Sequence, residues 1–239
     1  MRQNYFKVDF FVVISCLSLS ALFGQVCEAQ VEDINSFSSF TDWCENKYKL
    51  DSDTIHTIDQ LLLIAKTDDC KLANKRLNEL THLSLSQKKI SSLAPLNSFR
   101  NLTAITLSEN QVTDTKPLSF LTNLIALDIS KNQIVNIKHL EKLVKLQRLF
   151  ISDNLISDIS PLRGMRNLKD LSAKRNQISD VSPLKDLTNL KRLFLDYNKI
   201  MDVMPLQSLK KIDIASFRGN PIIKKVCPFE NIYIGDCLF

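Results

Sequence analysis

The chain has 239 residues, 44% hydrophobic and 24% charged, with a formal net charge of +5. That composition supplies ample apolar material for a folded core. Four glycines argue against a barrel or sandwich with many tight turns, and the charge is too mild to imply nucleic acid by itself.

The N-terminus reads as a targeting segment. Arg2 and Lys7 precede an apolar run from Phe10 to Phe23, and Cys27-Glu28-Ala29 offers small residues ahead of a cleavage point before Gln30. Residues 1–29 are therefore expected to form a signal peptide, with a run too short to span a bilayer comfortably. The alternative is a lipoprotein signal, with Val13-Ile14-Ser15 preceding a lipidated Cys16. Cysteine parity favours the first reading: cleavage after Ala29 leaves an even set, Cys44, Cys70, Cys227 and Cys237, whereas cleavage at Cys16 strands Cys27. No second long apolar run follows, so no transmembrane segment is expected in the processed chain.

Residues 30–79 carry helical spacing and are expected to form a helical cap. Helices are predicted over Thr41–Tyr48, over Thr54–Ala65 and over Asp69–Leu77. In the second, Ile55, Ile58, Leu62 and Ala65 share a face, and Asp53 is the expected N-cap. This segment carries six Lys/Arg against ten Asp/Glu, while residues 80–239 carry 23 against 14. The cap is thus acidic and the remainder basic.

From Leu80 onward the chain repeats every 22 residues. Three consecutive lines, LQRLFISDNLISDISPLRGMRN, LKDLSAKRNQISDVSPLKDLTN and LKRLFLDYNKIMDVMPLQSLKK, place apolar residues in columns 1, 4, 6, 11, 14, 17 and 20. Column 1 reads Leu80, Leu102, Leu124, Leu146, Leu168, Leu190 and Ile212. Column 9 reads Lys88, Asn110, Asn132, Asn154, Asn176, Asn198 and Asn220. Column 16 reads Pro95, Pro117, His139, Pro161, Pro183 and Pro205. Columns 3 to 7 alternate as a short strand, so Leu149 and Ile151 point inward while Arg148, Phe150 and Ser152 point out. Successive strands stack in parallel, and the Asn amide can satisfy backbone groups left unpaired by the sharp turn after each strand. Lys88 is expected to stand outside that ladder because no rung precedes it.

The motif L-x-x-L-x-L-x-x-N-x-I, at this length and followed by D-I/V-x-P-L, resembles the leucine-rich repeat family, and within it the internalin-like class. The resemblance implies an α/β solenoid: a parallel concave β-sheet, short 3-10 or irregular convex segments, and a helical N-terminal cap. It covers residues 80–220 in seven starts. The closing Gly219-Asn220-Pro221 and Cys227-Pro228 resemble the terminal caps of secreted members, so 221–239 is expected to be a disulfide-closed cap.

Four cysteines in an exported chain read as disulfides, with three possible connectivities. Cys44–Cys70 with Cys227–Cys237 is favoured. Seven strands span roughly 29 Å, so the other pairings would bridge opposite ends of the stack, far beyond the ~7 Å Cα limit.

Catalytic chemistry is sparse. His56, His82 and His139 fall in unrelated parts of the repeat frame, and none shares a predicted neighbourhood with a nucleophile and an orienting acid. No phosphate-cradling Gly loop and no metal-ligand spacing occurs, so neither an enzyme, a metal nor a cofactor is expected. Ser86, Ser108, Ser130 and Ser152 form a row of small polar residues at the sheet edge rather than a row of nucleophiles. Asn101-Leu102-Thr103 fits a glycosylation sequon, but Asn before column 1 recurs as a turn residue at Asn123, Asn167 and Asn189.

The concave columns are bland early and become distinctive in repeats four to six. Arg148, Phe150, Asp170, Arg175, Arg192, Phe194 and Tyr197 gather outward aromatics with basic side chains, the residue types enriched where partners dock. The expected function is a secreted, periplasmic or cell-surface binding module for a protein or peptide, with no nucleic acid and no small-molecule substrate. For the patch, the alternative is a cross-strand charge ladder of Arg148, Asp170 and Arg192 that shields the Phe rings; for the protein, the alternatives are a structural or self-associating envelope protein and a regulator of a phosphatase.

Overall fold

The computed structural model describes residues 37–224, 226–229 and 237–239. The expected signal peptide, Cys16, Cys27 and residues 30–36 of the expected cap lie outside the described residues.

Three helices come first: α1 (Phe40–Glu45), α2 (Ser52–Ala65) and α3 (Cys70–Asn78), with a 3-10 turn at Lys47–Lys49 between the first two. Local chemistry sets their starts. Ser39 and Asp42 form a capping box on α1: the Ser39 and Ser38 amides donate to Asp42 Oδ2 at 2.8 and 3.1 Å, and the Asp42 amide donates to Ser39 Oγ at 3.2 Å. The N-cap of α2 is Asp51, not Asp53, because Asp51 Oδ1 accepts from the Thr54 amide at 2.9 Å. Asp53 instead lies in the first turn, where its charge still favours the helix N-terminus. Asp69 caps α3, accepting from the Leu72 amide at 2.8 Å. The predicted first helix is split, since the chain breaks into the 3-10 turn after Glu45.

The capping box has a pH signature. The backbone hydrogen bond from Ser39 chiefly holds the Asp42 carboxyl below its ordinary pKa. A depressed folded value contributes stability that is present above the unfolded pKa and lost as pH falls through the folded one. The urea midpoint should therefore drop below about pH 4. Ser39→Ala should cost roughly 0.5–2 kcal/mol at neutral pH, and Asp42→Asn, which removes the titrating group, should flatten that acid limb. An acid limb unchanged in Asp42→Asn would remove Asp42 from the explanation.

The rest of the chain is one parallel sheet. Its strands are β1 (His82–Ser84), β2 (Ala104–Thr106), β3 (Ala126–Asp128), β4 (Arg148–Phe150), β5 (Asp170–Ser172), β6 (Arg192–Phe194), β7 (Ile214–Ser216) and β8 (Cys237–Leu238), hydrogen-bonded in sequence order. From β1 to β7 the pairing joins residues 22 apart, as in Arg148↔Asp170 and Phe150↔Ser172. β8 is a rung beyond the seven starts: Cys237 pairs with Ala215, and Phe217 stacks on Phe229 and Phe239 at 6.4 and 5.9 Å.

Opposite the sheet run short 3-10 turns, including Ala94–Ser98, Lys116–Phe120 and Ser160–Gly164 with Pro in the first turn. The preceding acid or amide holds several of them: the Lys116, Lys138 and Ser160 amides donate to Asp114, Asn136 and Asp158, each at 2.8 Å. His139 stands where the others have Pro, yet the turn Lys138–Lys142 forms with Leu140 buried. Burial of that Leu and the side-chain cap suffice without a fixed φ.

Between sheet and turns lies a continuous apolar spine. One rung buries Leu146, Leu149, Ile151, Ile156, Ile159, Leu162 and Met165 to 1% exposure or less. Each such side chain contributes roughly 1.5–3 kcal/mol against exposure. The Asn column threads the same interior. Asn154 Oδ1 accepts from the Ile134 amide at 3.0 Å, while its Nδ2 donates to Ile129 O at 3.0 Å and Ile151 O at 3.2 Å. Asn110, Asn132, Asn176, Asn198 and Asn220 repeat the arrangement. Every Asn reaches back one rung; at Lys88 only the backbone amide takes part, donating to Asn110 Oδ1 at 3.0 Å.

The helices close the first rung. Phe40 packs on Phe99 at 5.7 Å, Trp43 Nε1 donates to Asn97 Oδ1 at 3.3 Å, and Thr57 Oγ1 donates to Ser92 O at 2.7 Å. Cys44 and Cys70 are joined, tying α1 to α3, and Cys227 is joined to Cys237.

Candidate functional site

Seven of the eight strands are three residues long, so the exposed sheet face is built from columns 3 and 5, with columns 7 and 8 forming its exit edge. On rungs four to six the outward positions hold the residues singled out by sequence, but not as one uniformly free patch. Asp170 is 8% exposed and is gripped by Arg192, with Nε–Oδ1 at 2.7 Å and Nη2–Oδ2 at 2.6 Å. It orients Arg192 rather than presenting itself to a partner. That hydrogen-bonded carboxylate also raises the Arg192 pKa above its ordinary value. Arg148 is exposed.

Phe150 and Phe194 lie outside the core, but they are half-buried rather than fully exposed. Lys174 Nζ sits 4.7 Å from the Phe194 ring centroid. The same ammonium lies 3.0 Å from Asp196 Oδ2, an ion pair with a buried oxygen that accepts no hydrogen bond from the described residues. Asp196 is 4% exposed, and its Oδ1 accepts from Ser216 Oγ and, at 3.1 Å, from the Arg218 amide. Lys174, Asp196 and Arg218 belong to column 7, whose switch from Ser in the first four repeats to charged residues was the available signal.

Column 8 contains a second arrangement. Gln87, Glu109, Lys131, Asp153, Arg175, Tyr197 and Gly219 all have positive φ, between 50° and 71°. Left-handed backbone at a residue with a Cβ costs about 1–2 kcal/mol, so the turn imposes this geometry on whatever side chain occupies it. The side chains then meet along the edge. Glu109 accepts from Gln87 and from Lys131, both at 2.9 Å. Arg175 Nε lies 3.8 Å from Asp153 Oδ1, and its guanidinium sits 4.7 Å from the Tyr197 ring. The Lys131 hydrogen bond, then that of Gln87, holds the Glu109 carboxyl below its ordinary pKa. Tyr197, 53% exposed, lies over Gly219, where a Cβ would come within 2.5 Å of the ring. Gly219 therefore both takes the left-handed turn and makes room for the Tyr197 ring.

These groups surround a concavity of about 300 Å³ at the last rungs, lined by Lys174, Arg175, Phe194, Asp196, Tyr197 and Arg218 among others. Two aromatic rings and three cations border a buried carboxylate. Such a notch suits an inserted side chain that offers negative charge or a ring face. Among the described residues no group of three or more His, Cys, Asp or Glu could hold a metal ion, and no helix is long and apolar enough to cross a membrane.

A family model for leucine-rich repeats in two copies matches residues 122–164 and 166–211. Among solved structures, internalin C2 of Listeria monocytogenes is 36% identical, covers 60% of this chain and 73% of its own, and superposes with a TM-score of 0.53. The chain belongs to the internalin-like leucine-rich repeat family. Another internalin-like structure, InlF of Listeria monocytogenes, is 27% identical over 82% of this chain with a TM-score of 0.69. This internalin-like chain spans 56% of InlF's length. A leucine-rich repeat protein of Leptospira interrogans, 23% identical over 64% of this chain and 46% of its own with a TM-score of 0.52, shares the fold. No curated protein matches the chain by sequence.

Proposed function

We propose that the protein is a secreted, non-enzymatic binding module that grips a protein or peptide with the concave face of rungs four to seven. Arg148, Phe150, Arg175, Arg192, Phe194 and Tyr197 would make the contacts, while Asp170 positions Arg192. The observation that carries this reading is the aromatic and basic notch around Phe194 and Tyr197, set on a face that is small and bland at β1 to β3. Rigid rings and Arg side chains on an ordered frame supply contact area at low entropic cost. Internalin-like relatives and the paired cysteines support an exported protein that meets protein partners.

The test is capture from native-compartment extract by immobilised protein, with partners identified by mass spectrometry. Phe150→Ser combined with Phe194→Ser should leave the thermal midpoint within a few degrees, because both rings lie outside the spine. The same double variant should lose at least tenfold of a specific partner, while His82→Ala on the bland end retains it. Equal retention by a folded double variant would remove this face as the site.

A further inference from the structure

Along the opposite flank, where each segment enters its strand, charge accumulates. Segments 144–148, 166–170, 188–192 and 210–214 hold eight basic residues against two acidic ones. Lys145, Arg148, Arg166, Lys169, Lys191 and Lys211 are exposed. Of the two acids, Asp170 is engaged by Arg192, and Asp213 stands on the last rung. The equivalent segments of the second and third rungs, 100–104 and 122–126, carry a single basic residue, Arg100. The array is thus confined to rungs four to seven.

Three of the lysines are held by neutral partners. Lys145 Nζ donates to Asn123 Oδ1 at 2.8 Å, Lys169 Nζ to Gln147 Oε1 at 3.0 Å, and Lys211 Nζ to Asn189 Oδ1 at 2.8 Å. An amide oxygen one rung back orients each ammonium group without cancelling its charge. The column-8 edge does the opposite, alternating Glu109, Lys131, Asp153 and Arg175 so that neighbours neutralise one another. Like charges gathered on a stiff frame repel one another, and a multivalent anion relieves that repulsion while releasing its own counterions.

We infer that this flank is a docking surface for a linear anionic polysaccharide, a sulfated or carboxylated chain laid across rungs four to seven. Rungs about 4.8 Å apart let one extended polymer meet several cations at once. Two other occupants fit less well. Single-stranded nucleic acid needs aromatic platforms on which bases stack, and the four segments contain no Phe, Tyr or Trp. A folded acidic protein needs apolar anchors near the centre of the patch, whereas the exposed apolar residue here is Val144, on its outermost rung. The flank shares Arg148 and Arg192 with the proposed partner-binding face, while the notch around Phe194 and Tyr197 lies on the exit edge and Lys145, Lys169, Lys191 and Lys211 belong to the flank alone.

The test is binding of the full chain to heparin across a salt series. Lys145→Gln, Lys169→Gln, Lys191→Gln and Lys211→Gln combined should weaken binding at least tenfold at physiological salt. The dependence of log K on log salt should flatten as well, because fewer counterions are released. Glu109→Gln with Lys131→Gln, on the neutralised edge, should stay within twofold of wild type. If the quadruple variant loses its thermal midpoint, the pairs Lys145→Gln/Lys169→Gln and Lys191→Gln/Lys211→Gln replace it, each expected to lose about threefold. Heparin binding within twofold of wild type by folded variants would overturn the inference. So would equal retention of poly-glutamate, which would assign the flank to acidic peptides.

Discussion

Asn154→Ala is expected to destabilise the protein by about 3–5 kcal/mol, since one buried amide left unpaired costs about 1–3 kcal/mol and two further lost hydrogen bonds about 0.5–1.5 kcal/mol each. The substitution strands the Ile134 amide and removes one donor each from the Ile129 and Ile151 carbonyls, which keep Asn132 and Asn176 as their other donors. Asn154 is 6% exposed, so water cannot readily replace it. For a chain of this size each kcal/mol shifts the midpoint by about 2–4 °C, and thermal circular dichroism should show a fall near 10 °C. Lys88→Ala, in the same column, should move the midpoint by no more than about 1 °C, because its side chain bridges no earlier rung. A loss at Asn154 below about 1 kcal/mol would mean that the ladder is geometric rather than energetic.

Opening the Cys44–Cys70 bridge by Cys→Ser substitution at both positions is the second large effect. The bridge closes 26 residues, and loop entropy alone predicts a loss of about 3.5 kcal/mol, against about 2.7 kcal/mol for the 10-residue Cys227–Cys237 loop. The N-terminal loss should also spread. α1 and α2 cover the first rung through Phe40, Trp43 and Thr57, and stacked repeats take their stability from their neighbours. Hydrogen exchange should therefore accelerate at Leu83 and Leu85 before Leu171 and Leu193. Uniform acceleration from β1 to β7 would indicate that the stack opens as one unit and that the helices do not guard one end.

The sequence was most legible where one position answers to one periodic rule. Leu149, Ile151 and Asn154 follow from period and chemistry alone, because identical slots demand identical side chains. Contacts between rungs were harder to read. Phe194 is half-covered because Lys174, one rung back in a different column, reaches across it toward Asp196. Asp170 withdraws from the surface because Arg192 offers two donors at matching geometry. Neither follows from reading along a column, although column 7 already changes from Ser to Lys, Asp and Arg. The left-handed turn of column 8 was invisible for another reason: five of its seven occupants are residues that normally avoid positive φ, so Asp153 and the one glycine, Gly219, gave no pattern. Asp51 was passed over for Asp53 because two acids two residues apart both fit an N-cap, and only the Thr54 amide chooses between them.

The stack also makes length a quantised variable. Each turn of the chain meets its neighbours through the same backbone pairs and the same amide, so a whole turn can be duplicated or excised without a seam. Losing a single residue would instead rotate every later side chain out of its slot. Evolution of this molecule is therefore free to lengthen or shorten its grip in steps of 22 residues and constrained nearly everywhere in between.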